Sequence, residues 1–513
     1  MRLLPFLVLF LSARLFAQDI SVSNNLTWNG ENSLAINPTD SNNLVCAWMR
    51  FTGVGRVSIT VASSTNAGAT WSAPVTMPHF YVNSTSADPT LCFRKDGVVF
   101  LAYIDYHLNI DTGAVYVTQS SDGGATWSAP AEAINGFASA DLPVDRPWIA
   151  VDNSSSPSAG AVYVVTKSYK DAPFPHAIWM VESADSGATW STPVQVDSGI
   201  PIGSMLSSMG VPAVDANGNL RVLYLTINTA VPHYILATWR GSAFTYDVAA
   251  TMPLSSFFSA SDSLYQYSYH LATNPTDSSN LVAIWTDNSH GDPDIFSVAT
   301  HDGGINWTVQ QRINDDTVSN GIGQDMCWAG FSADGKYAAC WRDRREGISG
   351  QTSDYRVYTT LSNDGGNTFS ANHPLSSQLA PLFVPVDGND FLGVAVSGTR
   401  VFSTWADNRN PPNQVYFNSL SLDSLLTGIS TVSENDQLPE LYPNPAKNLL
   451  TIGNAPNVKS ICIYNLQGSC LIKTVFDSAA STRELMLDFS NGLYVVEMNL
   501  KTGSVFRKLV ILK

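Results

Sequence analysis

The sequence predicts an all-β protein: a β-propeller of seven blades, with six as the alternative count, followed by a small C-terminal β-sandwich. Three observations predict it. A Ser-x-Asp-x-Gly-x-Thr-Trp turn returns along the chain, short apolar runs separated by turn signals return with the same period, and no stretch carries helical periodicity. Composition agrees. Only 14% of the 513 residues are charged, while 35 Gly, 13 Trp and 19 Tyr suit a large β protein with many turns.

The chain starts MRLLPFLVLFLSARLFAQDI: a basic residue, an apolar run over 3–11 and a small residue, Ala17. This predicts a secretory signal peptide over residues 1–17, cut after Ala17. The run is too short for an anchor spanning a bilayer. No other segment is long and apolar enough for a membrane span, so the mature protein is expected to be secreted or attached to the outer surface. The segment DISVSN (19–24) reads as a strand with no partner near it in sequence.

Residues 19–422 hold the repeats. Turns built around Asn66, Asp122, Asp185, Asp302 and Asp364 are separated by 56, 63, 117 and 62 residues. The gap of 117 is two periods, and a worn copy, ATWRGSAF (237–244), fills it without its Asp. A second series has the same spacing: LVCAW, VFLAY, VYVVT, RVLYL, LVAIW, YAACW and VFSTW, each flanked by two further short apolar runs. Continuous apolar runs of this length between turns read as buried strands. Three or four antiparallel strands per ~60 residues form the unit of a propeller, in which each sheet buries its faces against two neighbours. The seventh unit lacks an outer strand, and DISVSN is expected to supply it, closing the ring. Within each turn the Asp is expected to accept backbone N–H bonds, the fifth-position Gly to take a positive φ, and Trp71, Trp127, Trp190, Trp307 or Phe369 to pack on the blade. The turn is thereby a structural staple, not a catalytic device.

The net charge of −16 lies outside the tail, where 8 basic and 6 acidic residues follow position 435. An acidic body excludes nucleic acid as a partner and is compatible with cation binding; no cofactor is identified, and calcium is the cation that many carboxylates would suit. Six Cys lack metal-site spacing. Cys46, Cys92, Cys327 and Cys340 sit in strand-like runs and are expected as buried thiols. Cys462 and Cys470 flank the turn NLQG, where a disulfide across a hairpin is open.

The repeated turn resembles the Asp box of the sialidase superfamily of propellers over about residues 19–422. That superfamily includes hydrolytic sialidases, other glycoside-processing enzymes and proteins without established activity, so the resemblance implies the ring and leaves the chemistry to the site. After the linker 423–437, residues 438–513 resemble a second family. LYPNPAKNLLTI (441–452), ICIYNLQGSCL (461–471), LDFSNGLYVVEM (487–498) and the terminal RKLVILK are similar to the C-terminal sorting domain of type IX secretion cargo. This implies export across the outer membrane of a Bacteroidetes-type bacterium, the type IX machinery as a partner, and removal of the tail.

Antiparallel connectivity places the box turns on one face of the ring. The loops between second and third strands, and those between blades, lie on the other, around the channel mouth. The candidate catalytic residues there are Asp145, Arg146, Arg342, Asp343, Arg344, Asp407 and Arg409. The candidate substrate contacts are Glu31, Asp88, Asp105, Asp287, Tyr267 and Tyr269. Paired carboxyls suit glycoside hydrolysis, arginines grip a substrate carboxylate, and a Tyr beside a Glu is the sialidase nucleophile. The bland alternative is a set of internal salt bridges shaping the loops. Against sialic acid hydrolysis, NGENSLAIN places Glu31 or Asn32 where the superfamily's Arg-Ile-Pro arginine is expected. The expectation is thus a monomeric propeller acting on, or only binding, an extracellular glycan or glycoprotein at the mouth.

Overall fold

The computed structural model describes residues 18–53, 55–80, 83–108, 113–135, 144–168, 176–203, 209–227, 232–251, 268–347, 354–381, 391–426, 440–453, 455, 458–465, 470–476, 480–500 and 503–513. The signal segment lies outside them. The chain divides into two compact units, one ending at Leu426 and the other beginning at Thr427. The expected linker start at 423 is therefore displaced: a short helix, Leu422–Leu426, seals Leu422 and Leu425 into the first unit's core.

The first unit contains seven four-stranded antiparallel sheets, within residues 29–76, 84–135, 144–195, 211–251, 269–312, 324–374 and 393–421, here blades 1 to 7. Each blade's strands follow in chain order from the inner edge outward, except in blade 7. There Ile20–Ser21 pairs with Phe417 and Tyr416 as the outer strand, so the two ends of the ring share one sheet. Among the described residues the second strands carry the fully buried tryptophans, Trp48, Trp285, Trp341 and Trp405, together with Tyr103 and Tyr224. These apolar runs are continuous because both faces of every sheet are covered by a neighbouring blade.

The box turns lock neighbours together. In blade 2, Ser120 Oγ donates to Asp122 Oδ1 at 2.7 Å, and Asp122 accepts from Thr126 N (2.8 Å) and Thr126 Oγ1 (2.5 Å). Asp185, Asp302 and Asp364 repeat this geometry. These bonds hold the exposed carboxyls of Asp122, Asp185 and Asp302 down to about 2. Gly124 and Gly366 have φ +94° and +92°, and a Cβ on either would stand 2.7 Å from Val45 or Val282 of the preceding blade. That preceding blade also grips the turn: Asn43 Nδ2 donates to Gly123 O (3.0 Å) and Asn280 Nδ2 to Gly365 O (2.9 Å).

Blade 4 departs from this pattern. Without a box, Trp239 and Phe244 close a tight hairpin, Arg240 N donating to Ala243 O at 2.9 Å. Its outer strand, Phe244–Thr251, runs for eight residues, where the boxed blades 1, 3, 5 and 6 have two.

The C-terminal unit has a three-stranded sheet (Glu440–Tyr442, Leu449–Gly453, Arg483–Met486) and a four-stranded one (Val458–Tyr464, Cys470–Val475, Gly492–Leu500, Gly503–Ile511). Leu450, Ile452, Ile461, Ile463, Val496, Met498, Leu509 and Ile511 form its core. All six Cys are free thiols. The register sets Lys473 opposite Cys462 and Tyr464 opposite Cys470, so the two thiols are offset across their hairpin.

Candidate functional site

The innermost strands carry an irregularity that sequence reading missed. Glu31, Asp88, Arg146 and Met326 hold φ of 37°, 55°, 51° and 52°, each inside a register shift of the first strand of blades 1, 2, 3 and 6. Left-handed backbone at non-glycine residues is costly, and bulges of this kind re-aim side chains at functional edges. Three of the four are charged residues selected from the sequence. Arg146 N donates to Asp88 Oδ2 (3.1 Å), linking blades 3 and 2, and the Arg146 guanidinium lies 5.0 Å from the centre of the Phe391 ring, beside blade 7. Asp145 pairs with Lys167 at 3.3 Å. Burial lowers the Lys167 pKa against the pull of Asp145. Asp145 and Arg146 are partly exposed, whereas Glu31 and Asp88 are buried.

Within the ring is a cavity of about 170 Å³ touched by all seven inner strands, among them Asn32, Thr90, Trp148, Pro212, His270, Trp328 and Leu392. Rings dominate it. Trp148 stands 5.0 Å from Trp328 and 5.1 Å from Phe391, and His270 lies 4.5 Å from Trp328. Burial among them pushes the His270 imidazole down to about 3, so it is neutral at neutral pH. Trp148 Nε1, His270 Nδ1 and Asn32 Oδ1 are buried without a hydrogen-bond partner among the described residues.

The other selected residues are consumed by the scaffold. In blades 5, 6 and 7 the pattern Trp-x-Asp makes one motif: the indole N–H donates to the Asp two residues on, Trp285 to Asp287 (2.8 Å), Trp341 to Asp343 (2.9 Å) and Trp405 to Asp407 (2.8 Å). The other carboxylate oxygen accepts the backbone N–H of Ser289, Arg345 or Arg409 and so shapes the following turn. Asp343 is further clamped by Arg345, and Asp407 by Arg409, whose Nη1 reaches Asp19 at 2.6 Å. Burial raises the Asp407 pKa despite Arg409. Arg342 and Arg344, expected as catalytic residues at the mouth, are core ions instead: both converge on buried Asp325. Burial opposes ionisation of Asp325, yet the two guanidinium charges prevail and hold its pKa low.

Tyr269, expected on the rim, is buried: its ring packs on Tyr234 and its hydroxyl donates to Met209 O at 2.5 Å. Tyr267 lies outside the described residues. Asp105, also expected at the rim, is buried in a chain of side chains that no motif in the sequence announces: Ser58 Oγ meets His79 Nε2 at 2.9 Å and His79 Nδ1 meets Asp105 Oδ1 at 3.0 Å. The order of groups is that of a nucleophile, a base and its orienting acid. Ser58 is only 3% exposed, and its hydroxyl also meets Thr52 Oγ1 at 3.2 Å. The chain therefore serves as a lock between blades 1 and 2. Asp105 accepts Phe80 N and Ser86 Oγ as well, so its oxygens are filled.

Among the described residues no group of three or more His, Cys, Asp or Glu is placed to hold a metal ion, and no helix is long and apolar enough to cross a membrane. No curated protein matches the chain. Among solved structures it is similar to the GH93 alpha-L-arabinofuranosidase of Fusarium graminearum complexed with arabinobiose (12% identity, 80% of this chain and 99% of that one, TM-score 0.47). It is similar also to the Hadza microbial sialidase Hz136 (15%, 73% and 75%, TM-score 0.43) and to a protein of unknown function from Dyadobacter fermentans (15%, 79% and 98%, TM-score 0.43). Residues 440–512 match the family described as the secretion system C-terminal sorting domain, and that segment, with its two sheets, is the sorting domain of a secreted protein.

Proposed function

We propose that this is a type IX-exported propeller that holds an extracellular glycan at the channel mouth without cleaving it. The observation that carries the reading is the fate of the carboxylates. Hydrolysis needs two of them free in an open pocket, about 5–9 Å apart. Asp105, Asp287, Asp325, Asp343 and Asp407 are instead buried and filled by hydrogen bonds or ion pairs. Among the described candidate carboxylates Asp145 stays partly exposed, beside Arg146, which stands against Phe391 of the aromatic-lined interior. A guanidinium with a carboxylate beside it suits hydroxyl and carboxylate groups of a sugar. The sorting domain supports an extracellular setting for that ligand.

The test is a glycan array beside a panel of fluorogenic glycosides, run on the mature protein. The expected outcome is binding that Arg146→Ala weakens at least tenfold, with no turnover. Turnover abolished by both Asp343→Asn and Asp145→Asn would establish an enzyme instead.

A further inference from the structure

The worn turn of blade 4 has a structural consequence on the face opposite the mouth. Where blade 3 keeps its box, Ser186, Gly187 and Ala188 fill the gap against Phe100 and Gln119 of blade 2, leaving about 210 Å³. Phe100 and Gln119 are cross-strand partners. One blade on, the corresponding partners are Tyr163 and Glu182. No box reaches them from blade 4, and a cleft of about 670 Å³ opens between them, the serines at 156 and 158, the turn at 217–219 and the hairpin tip at 239–241.

Three polar groups at the edge of this cleft are uncommitted. The Glu182 carboxylate, the Arg240 guanidinium and the Trp239 indole N–H have no hydrogen-bond or ion-pair partner among the described residues. Asn219 spends its side-chain nitrogen on Asp215 (3.1 and 3.0 Å), which leaves its side-chain oxygen Oδ1 available. Trp239 is half-buried, braced by Phe244 at 4.9 Å between ring centres, with part of its ring open to solvent.

We propose that this cleft is a binding site for a neutral oligosaccharide, separate from the mouth. Its size falls within the roughly 300–1,000 Å³ of small-ligand pockets. It is a notch between two blades, not the broad face that a stable protein interface buries. An indole face accepts the C–H surface of a sugar ring and its N–H a hydroxyl. Glu182 and Asn219 accept hydrogen bonds while Arg240 donates them, which fits hydroxyls that do both. The opposite charges of Glu182 and Arg240 cancel, so neither an anionic nor a cationic ligand gains by long-range attraction.

The experiment is a titration of the mature protein with neutral trisaccharides (cello-, xylo-, malto-, arabino- and chitotriose), followed by tryptophan fluorescence and saturation-transfer NMR. Binding of at least one is expected, weakened tenfold or more by Trp239→Ala and by Glu182→Gln, and unchanged by Arg146→Ala at the mouth. Arg240→Ala, a change at an exposed hairpin tip, gives a second readout should Trp239→Ala fold poorly. Binding of none at millimolar concentration overturns the proposal. So does binding indifferent to all three cleft variants, or a concentration-dependent dimer that Trp239→Ala abolishes. Loss on Arg146→Ala alone would assign the sugar to the mouth and leave this cleft without a role.

Discussion

Asp325 shows how single residues trade function for architecture. Its carboxylate lies wholly inside blade 6 with Arg342 and Arg344 converging on it. The anion between them offsets the cost of burying two cations. Asp325→Ala removes the carboxylate that both guanidinium groups share and is expected to cost about 3–5 kcal/mol, measured as the shift in urea unfolding free energy. Asp287, Asp343 and Asp407 have the same character through their indole donors. From the sequence a Trp-x-Asp at a strand end is equally a rim acid or a turn-former. The pattern fixes where the Asp falls along the strand, and only the packed blade shows that both oxygens are already filled. Arg146 and Asp145 differ in staying partly exposed.

The box turn is the element that the chain repeats, and its carboxylate makes stability depend on pH. The unfolded pKa of Asp is about 3.9, while Asp122, Asp185 and Asp302 are held at about 2 in the fold. Between those values the unfolded chain binds more protons, so the contribution is complete above pH ~4 and is lost as pH falls through ~2. Urea midpoints measured from pH 5 down to 2 are expected to fall, and less steeply in the triple variant Asp122→Asn, Asp185→Asn, Asp302→Asn. The box was legible because its residue types follow from its geometry: an oxygen acceptor two residues after a Ser or Thr, and a glycine where the preceding blade leaves no room for a Cβ. Its loss in blade 4 was legible too. The cleft that results was not, since its walls come from residues between 156 and 241 that only the neighbouring blades bring together.

At the scale of the whole molecule the ring is closed by a few residues from its beginning. Besides the Ile20–Ser21 pairing, Asp19 accepts Arg409 Nη1 (2.6 Å), Asn418 Nδ2 (2.8 Å) and Ser377 N (2.7 Å). Asp19 is thus the point where residues about 360 to 400 apart are tied. Asp19→Ala leaves Arg409 with Asp407 alone and is expected to destabilise the ring by about 3 kcal/mol. Because the contact joins the two ends of the ring, the loss is expected largely as faster unfolding in stopped-flow measurements. Unfolding as slow as in the unaltered protein would show that the ring closes through the strand pairing alone.

The sequence by itself determined the propeller class, the box turns, the segment that closes the ring and the sorting domain, because each rests on local chemistry or on a repeat whose period the chain displays; seven blades rather than six was decided by the sheets. The tertiary structure alone decided which charged residues are available. Ion pairing and burial are relations between blades, so Asp343 and Asp145 look alike in one dimension and differ once their neighbours stand beside them.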